Sequence, residues 1–366
     1  MVAAPRVRSI SSVSRGAQGI EIREDPLLDP RAYALRVAEV CRLFSVSLLI
    51  PTTDGSLEAV LEHRTLVPDS TVLPFPSLEV YRAASDKVLV HQLACAVGIG
   101  VDETVIVSEP GMPAPEDLSL YPGVVKPHRS VVGSTARFKS RVELVADRSE
   151  CATVLRGLPR EAFPVMVQRR VRGPGEGYFV ARWRGETIAR FAHRRLREKP
   201  PSGGVSVYRE SIHVTPEIQR ACDAMLDSLN WEGVAMIEGK LDLDRGGWRV
   251  MEINGRFWGS LQLAIDAGVD FPARLARATL GSSDEHAGQW RAGARLRWEW
   301  GDIDHLMLRI LRSRRQLDLP PEAPGRLGAI INFLRHRPGR DHLEMLRWDD
   351  PAPFALESLR RLGIPL

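Results

Sequence analysis

Lysine is nearly absent from this sequence: of 50 basic residues, only Lys87, Lys126, Lys139, Lys199 and Lys240 are lysine. Arginine presents a planar fork and lysine a compact point charge, so a surviving lysine marks a place where the compact charge is wanted. Codon bias with chance survivors is the competing reading for each lysine taken alone. Cysteine is scarce too, and Cys41, Cys95, Cys151 and Cys222 stand far apart with no CxxC pair. That spacing excludes a disulfide framework or a zinc knuckle, and a reducing cytoplasm is the expected location. No stretch reaches the roughly 18 apolar residues of a membrane span. The opening Met1-Val2-Ala3-Ala4-Pro5-Arg6 lacks the apolar core of a signal peptide. Charge of one sign is also lacking. Fifty basic against 46 acidic residues leave +4, interspersed along the chain, whereas a dedicated nucleic-acid binder concentrates basic residues into a stripe or arm.

What is present suffices for a large core. The chain has 366 residues, of which 44% are hydrophobic, too many for a disordered protein. At roughly 150 residues per unit, two or three structural units are expected. A helical period runs through 31–44, and an apolar strand at 46–50 ends at Pro51 before a turn at 52–55. Helices are predicted at 56–63 and 85–97, the second with Ser85 as N-cap, Asp86 in its first turn and Gly98 near its C-cap. Strands follow at 103–107 and 123–127, with Lys126 at the end of the latter. A helix over 141–155 and a strand over 163–171 lead to a hairpin of 177–183 and 187–197 around Arg184-Gly185-Glu186. A helix at 216–229 precedes strands at 233–243 and 248–254, joined by Asp244-Arg245-Gly246-Gly247. Helical stretches at 260–267 and 271–280, then a linker at 282–289, lead to an Arg-rich end with a strand at 294–300 and two or three helices. No internal repeat or low-complexity segment is present.

The strands around 238–256 carry the strongest chemical signal. Side chains two apart share a strand face, so Glu238, Lys240 and Asp242 line one face, as do Glu252, Asn254 and Arg256. The short turn at 244–247 pairs the strands antiparallel and brings Glu238 near Glu252. Two carboxylates and an amide carbonyl offer hard oxygen ligands, which suits magnesium, with manganese as the second choice. Such a cation bridges phosphate oxygens, and Lys240 and Arg256 neutralise further charge. A solvated face of alternating charges is the competing reading. Against it, Met251-Glu252-Ile253-Asn254 lies in apolar sequence with Phe257-Trp258 directly after, and a carboxylate there must be paired or metal-bound.

The run Met251-Glu252-Ile253-Asn254-Gly255-Arg256-Phe257-Trp258-Gly259-Ser260, with Ala267-Gly268-Val269-Asp270-Phe271-Pro272 after it, resembles the metal-binding segment of the ATP-grasp superfamily. The branch it is most similar to holds carbamoyl-phosphate synthase large subunit, biotin carboxylase and predicted carboxylate–amine ligases, and the resemblance extends from about residue 48 to 280. It implies Glu238, Glu252 and Asn254 as metal ligands and Lys87 and Lys126 as contacts to ATP phosphates. A phosphate-covering loop is implied at 129–135, through Ser130, Gly133 and Ser134, with only one glycine and hydroxyls, Thr135 included, in place of others. Gln168 and the backbone at Val171 would then receive adenine, and Glu176 ribose; locally, 173–177 also reads as a hairpin with an exposed Glu. The stretch 192–204 resembles the strand and loop of the phosphoryl-acceptor site. Only one of Arg194 and Arg195 can face it, and Arg194 matches the family position better, while His193 reads as structural.

The fold implied is α/β: an ATP-grasp domain at 85–281, whose two α+β subdomains clamp ATP, behind a reduced N-terminal α/β domain at 1–84. A small, mostly helical C-terminal extension occupies 290–366. Fewer than the roughly 100 residues expected of a full first domain precede Lys87, so that domain is truncated or the assigned start lies inside the gene. A homodimer partner, or another protein, would then complete it. The activity implied is an ATP-dependent ligation of small-molecule carboxylate and amine through an acylphosphate, catalysed by Arg256, Lys240 and Arg194, with neither nucleic acid nor membrane as partner. A kinase-type phosphoryl transfer on the same fold and a non-catalytic nucleotide-binding partner protein are the alternatives.

Overall fold

The structure is a computed structural model that describes every residue except 7, 134–136, 282–287, 321, 336 and 365–366. Its N-terminal stretch opens with two three-residue strands, β1 (Val2–Ala4) and β2 (Gly19–Glu21), paired in parallel. Helix α1 (Pro30–Leu43) starts where Asp29 accepts the Ala32 N–H and Pro30 needs no donor, and it buries Ala34, Val37, Ala38 and Cys41 at helical spacing. Helix α2 (Asp54–Glu62) is set by a reciprocal capping box of Thr53 and Ser56. The strand expected at 46–50 is not one; it makes a single bridge, Leu48 to Val72. The helix expected at 85–97 is α4 (Lys87–Ala96), and a helix not foreseen, α3 (Leu78–Ser85), precedes it. The break falls at Asp86, whose carboxylate caps the Val88 and Leu89 N–H groups, while Ser85 turns back to donate to the Tyr81 carbonyl.

The middle of the chain forms an antiparallel sheet of β3 (Thr104–Val107), β4 (Gly123–Pro127), β7 (Glu143–Val145) and β8 (Val165–Arg169), in the order β3-β8-β4-β7. A short pair, β5 (Val131–Val132) and β6 (Phe138–Lys139), stands beside it. Helix α5 (Arg148–Gly157) begins later than expected, because residues 143–145 are strand and Asp147 caps the Glu150 N–H. Val107, Val125, Val145, Cys151, Leu155, Val165 and Val167 make a separate small core there.

The largest unit is a seven-stranded sheet ordered β13-β12-β9-β10-β11-β14-β15. Its strands are β9 (Gly175–Trp183), β10 (Glu186–Lys199), β11 (Val205–Ser211), β12 (Gly233–Leu241), β13 (Trp248–Asn254), β14 (Arg295–Arg297) and β15 (Asp341–Leu343). All pairs are antiparallel except β14 with β15. Helix α6 (Pro216–Ser228) covers the face bearing Tyr178 and Arg182, through Asp223 and Asp227. The opposite face receives α7 (Leu261–Asp266) and α8 (Phe271–Leu280), where Trp258 lies tilted 4.3 Å from Phe179 and edge-on 5.1 Å from Phe271. Phe179 and Phe271 are fully buried, and burial of such a side chain contributes roughly 1.5–3 kcal/mol. Past residue 290, helix α9 (Glu299–Leu311) packs on β10 and β11, α10 (Arg326–Leu334) packs on α9, and α11 (Ala352–Arg361) follows. The strand expected at 294–300 is three residues long, and α9 takes over at Glu299.

Candidate active site

Strands β12 and β13 place Glu238 opposite Glu252, as the period of two and the short turn require. One step later Gly239 faces Val250, so β13 carries one extra residue, Met251, as a bulge. The Glu252 carboxylate accepts from Asn254 Nδ2 at 3.1 Å and lies 3.3 Å from Lys87 Nζ. Burial pushes the Glu252 carboxyl up, yet Lys87, the Asn254 amide and Lys126 hold it below the ordinary carboxylate value. Glu238 goes the other way: burial raises it, Arg195 at 2.7 Å opposes, and the Glu252 charge adds to the rise. The two carboxyl groups are thus driven apart by unequal compensation.

Three of the five lysines gather here. Lys87 is the first residue of α4, and its buried ammonium donates to Ser130 Oγ at 3.1 Å beside Glu252. Lys126, near the end of β4, donates to Gln168 Oε1 at 2.7 Å and touches Met251 Sδ at 3.3 Å. Its pKa is pushed down to about 8, chiefly by burial. Lys240 reaches the Val171 carbonyl at 3.4 Å, and burial lowers its pKa also.

Of the two neighbouring arginines, Arg195 and not Arg194 meets the carboxylate pair. The register explains this. Glu238 and His193 both face Gly177 across β9, so Arg195, two residues from His193, shares their side. Arg195 bonds Glu238 and Glu198, while Arg194 faces Glu176 on the other side and donates to it at 2.7 Å. Arg195, where Arg194 was expected, thus lies beside the carboxylate pair, and Arg194 is engaged with Glu176. His193 is buried edge-on to Phe179 at 4.8 Å.

Arg256 closes the cluster on the side of the N-terminal stretch. It donates through Nε to Asp54 at 3.0 Å, to Asn254 Oδ1 at 3.3 Å and to the Phe257 carbonyl at 3.2 Å. Asp54 gave no signal in the sequence beyond a turn, nor did Tyr81, whose hydroxyl donates to Asp54 at 3.2 Å. Gln168 is engaged at both amide atoms: its carbonyl takes Lys126 and its Nε2 donates to Thr104 at 2.9 Å. Gly133 has φ +101°, a conformation that favours glycine, and Ser134 lies outside the described residues. Asp242, expected on the face of Glu238, is consumed structurally by Arg169 and by the N–H groups of Asp244 and Arg245.

Among the described residues, no three of His, Cys, Asp or Glu gather around one point. The available oxygen set is two carboxylates and the Asn254 amide, all hard donors, and Glu252 is held in its charged form. That set fits magnesium, which takes few protein ligands beside phosphate oxygens and water. Asp54, Glu58, Tyr81, Lys87, Ser130, Glu252 and Asn254 line a narrow cleft of about 20 Å³.

Residues 165–301 match the family described as ATP-grasp in the biosynthetic pathway with Ter operon. Solved structures share the architecture at low identity. An L-amino acid ligase from Bacillus licheniformis is 17% identical, with TM-score 0.53 over 73% of this chain and 65% of its own. Biotin carboxylase from Campylobacter jejuni, in complex with β,γ-ATP, is 13% identical, with TM-score 0.56 over 72% of this chain and 62% of its own. N5-carboxyaminoimidazole synthetase from Staphylococcus aureus is 14% identical, with TM-score 0.56 over 74% and 68%. The chain thus spans under two thirds of the first two. No curated protein sequence matches it. The fold is that of the ATP-grasp superfamily.

Proposed function

We propose that this ATP-grasp protein is an ATP-dependent carboxylate–amine ligase, forming an amide or peptide bond through an acylphosphate and releasing ADP and phosphate. The observation behind this reading is the gathering of Glu238 and Glu252 with Lys87, Lys126, Arg195 and Arg256 in one polar cluster. Phosphoryl transfer to a carboxylate asks for positioning and charge neutralisation rather than a protein nucleophile. A substrate carboxylate oxygen attacks the γ-phosphorus, the bond to the β–γ bridging oxygen breaks, and ADP leaves. The amine, once its ammonium has lost a proton to solvent, attacks the acyl carbon through its nitrogen lone pair, and phosphate departs as the nitrogen releases one further proton.

In this reading Lys87 and Lys126 hold the phosphates, assisted by the hydroxyl of Ser130 and by Gly133. Arg195 and Lys240 neutralise charge beside Glu238. Arg256, a planar fork, grips the carboxylate or acylphosphate oxygen pair. Glu238, Glu252 and Asn254 would hold magnesium, which when bound neutralises phosphate charge. Adenine is assigned to Val171 and its neighbours, with Gln168 fixing Lys126 rather than reading the base, and ribose to Glu176.

The test is ADP release with carboxylate and amine varied separately. A ligase reaches full rate only with both and yields an amide. Full rate with a single acceptor points to a kinase-type transfer, and no turnover with any pair points to a nucleotide-binding protein.

A further inference from the structure

Arg256 is steadied from outside its own sheet. Asp54, 202 positions away in the chain, accepts its Nε at 3.0 Å, and the Tyr81 hydroxyl occupies the other Asp54 oxygen at 3.2 Å. The capping box of Thr53 and Ser56 fixes the backbone here, because Asp54 opens α2. Each Asp54 oxygen accepts one hydrogen bond, whereas a carboxylate has about four acceptor sites. The side chain is 28% exposed and lines the cleft beside Lys87 and Glu252. Its neighbour Glu58 also accepts one bond per oxygen, from Arg82 and Arg129, but at 2% exposure has no open face for a ligand. Asp54 is thus a cleft carboxylate with capacity left, outside the set assigned to the metal.

We infer that Asp54 is the anchor of the amine substrate, which it binds as an ammonium. The inference rests on the ligase reading. A ligase of carboxylate and amine brings an anion and a cation together at one place, and an aliphatic amine is an ammonium at neutral pH. Arg256 offers a positive fork for the carboxylate, and Asp54, in contact with it, offers the complementary charge for the amine. Each residue presents to the other the charge that its substrate presents. The substrate class that follows is a primary aliphatic amine carrying its proton, such as the α-amino group of an amino acid.

Hydroxylamine separates recognition of the ammonium from the rest of the reaction. It is neutral at neutral pH and traps an acylphosphate as a hydroxamate, so it has no use for Asp54. Wild type is first screened for ATP-dependent hydroxamate formation across the amino acids and simple dicarboxylates. With the active carboxylate, Asp54→Asn keeps a carbonyl oxygen for Arg256 but removes the charge. Hydroxamate formation is expected to fall less than tenfold, while KM for the primary amine rises on the order of 10²-fold. Asp54→Glu restores part of the amine affinity, and Asp54→Ala, which also frees Arg256, loses both reactions. Equal loss of both reactions in Asp54→Asn would show that Asp54 only positions Arg256, and loss of neither would show that it does nothing; both overturn the inference. Wild type that forms no hydroxamate with any carboxylate overturns the ligase reading itself, a failure seen before any variant is made.

Discussion

Lys126 and Gln168 are diagonal neighbours on one face of β4 and β8, joined by a 2.7 Å hydrogen bond that leaves the ammonium beside Met251 and near Glu252. The carbonyl of Gln168 is a weaker partner for an ammonium than a carboxylate, so burial prevails and the pKa sits at about 8.

A pH dependence follows, with opposite signs for activity and stability. Holding phosphate needs the charged lysine, so kcat/KM for ATP is expected to fall as pH rises through about 8. The unfolded chain keeps this proton up to the ordinary 10.5. Between those values the unfolded state binds more protons, so this group makes stability increase with pH there and penalises folding below. Lys126→Arg stays charged throughout and should abolish the alkaline limb in the pH–rate profile. A limb that persists assigns the titration to another group.

Glu252 tests the metal assignment. Glu252→Gln keeps the shape and an oxygen for the Asn254 amide, but removes the negative charge beside Lys87. ATP turnover should drop by on the order of 10²-fold or more, with the protein still folding cooperatively in a thermal melt. Turnover near wild type would remove Glu252 from the metal set.

Arg195 and Arg194 make a matched pair of controls. Arg195→Met leaves Glu238, whose carboxyl burial already raises, without its guanidinium. Turnover per folded molecule should fall by on the order of 10²-fold, and the effect of Arg194→Met should stay below tenfold. The reverse order would return the role to Arg194.

Much of this arrangement was legible. The Glu238–Glu252 pairing follows from period-two alternation and a four-residue turn, and the hairpin at 184–186 from its turn residues. The bulge at Met251 was not, because nothing local distinguishes an extra strand residue from a regular one. Ser85 and Asp86 both have N-cap chemistry, and only the two hydrogen bonds made by Asp86 decide between them. Alternation said that one of Arg194 and Arg195 faces the site, but choosing between them needed the register of β9 against both β10 and β12. Asp54 and Tyr81 were invisible because their role is a contact across the fold, and β1 and β2 are too short to show a period.

Arg256 gives the last test. Its guanidinium gives one N–H in each of three directions, Nε to Asp54, one terminal nitrogen to Asn254 and the other to the Phe257 carbonyl, which leaves one N–H on each terminal nitrogen for a ligand. A lysine carries one nitrogen on a flexible stem and cannot hold these directions together or grip an oxygen pair bidentately. The phosphates are assigned to Lys87 and Lys126, so Arg256→Lys should leave KM for ATP within a few-fold. Charge develops on the acceptor only during transfer, and an interaction made at that point lowers kcat rather than raising KM. Turnover should therefore drop by on the order of 10²-fold or more. Were Arg256 only a brace between β13 and α2, the same substitution would lower the melting temperature and leave turnover per folded molecule nearly intact. Measuring both quantities on one preparation decides between a residue that handles the transferred group and one that merely joins two elements.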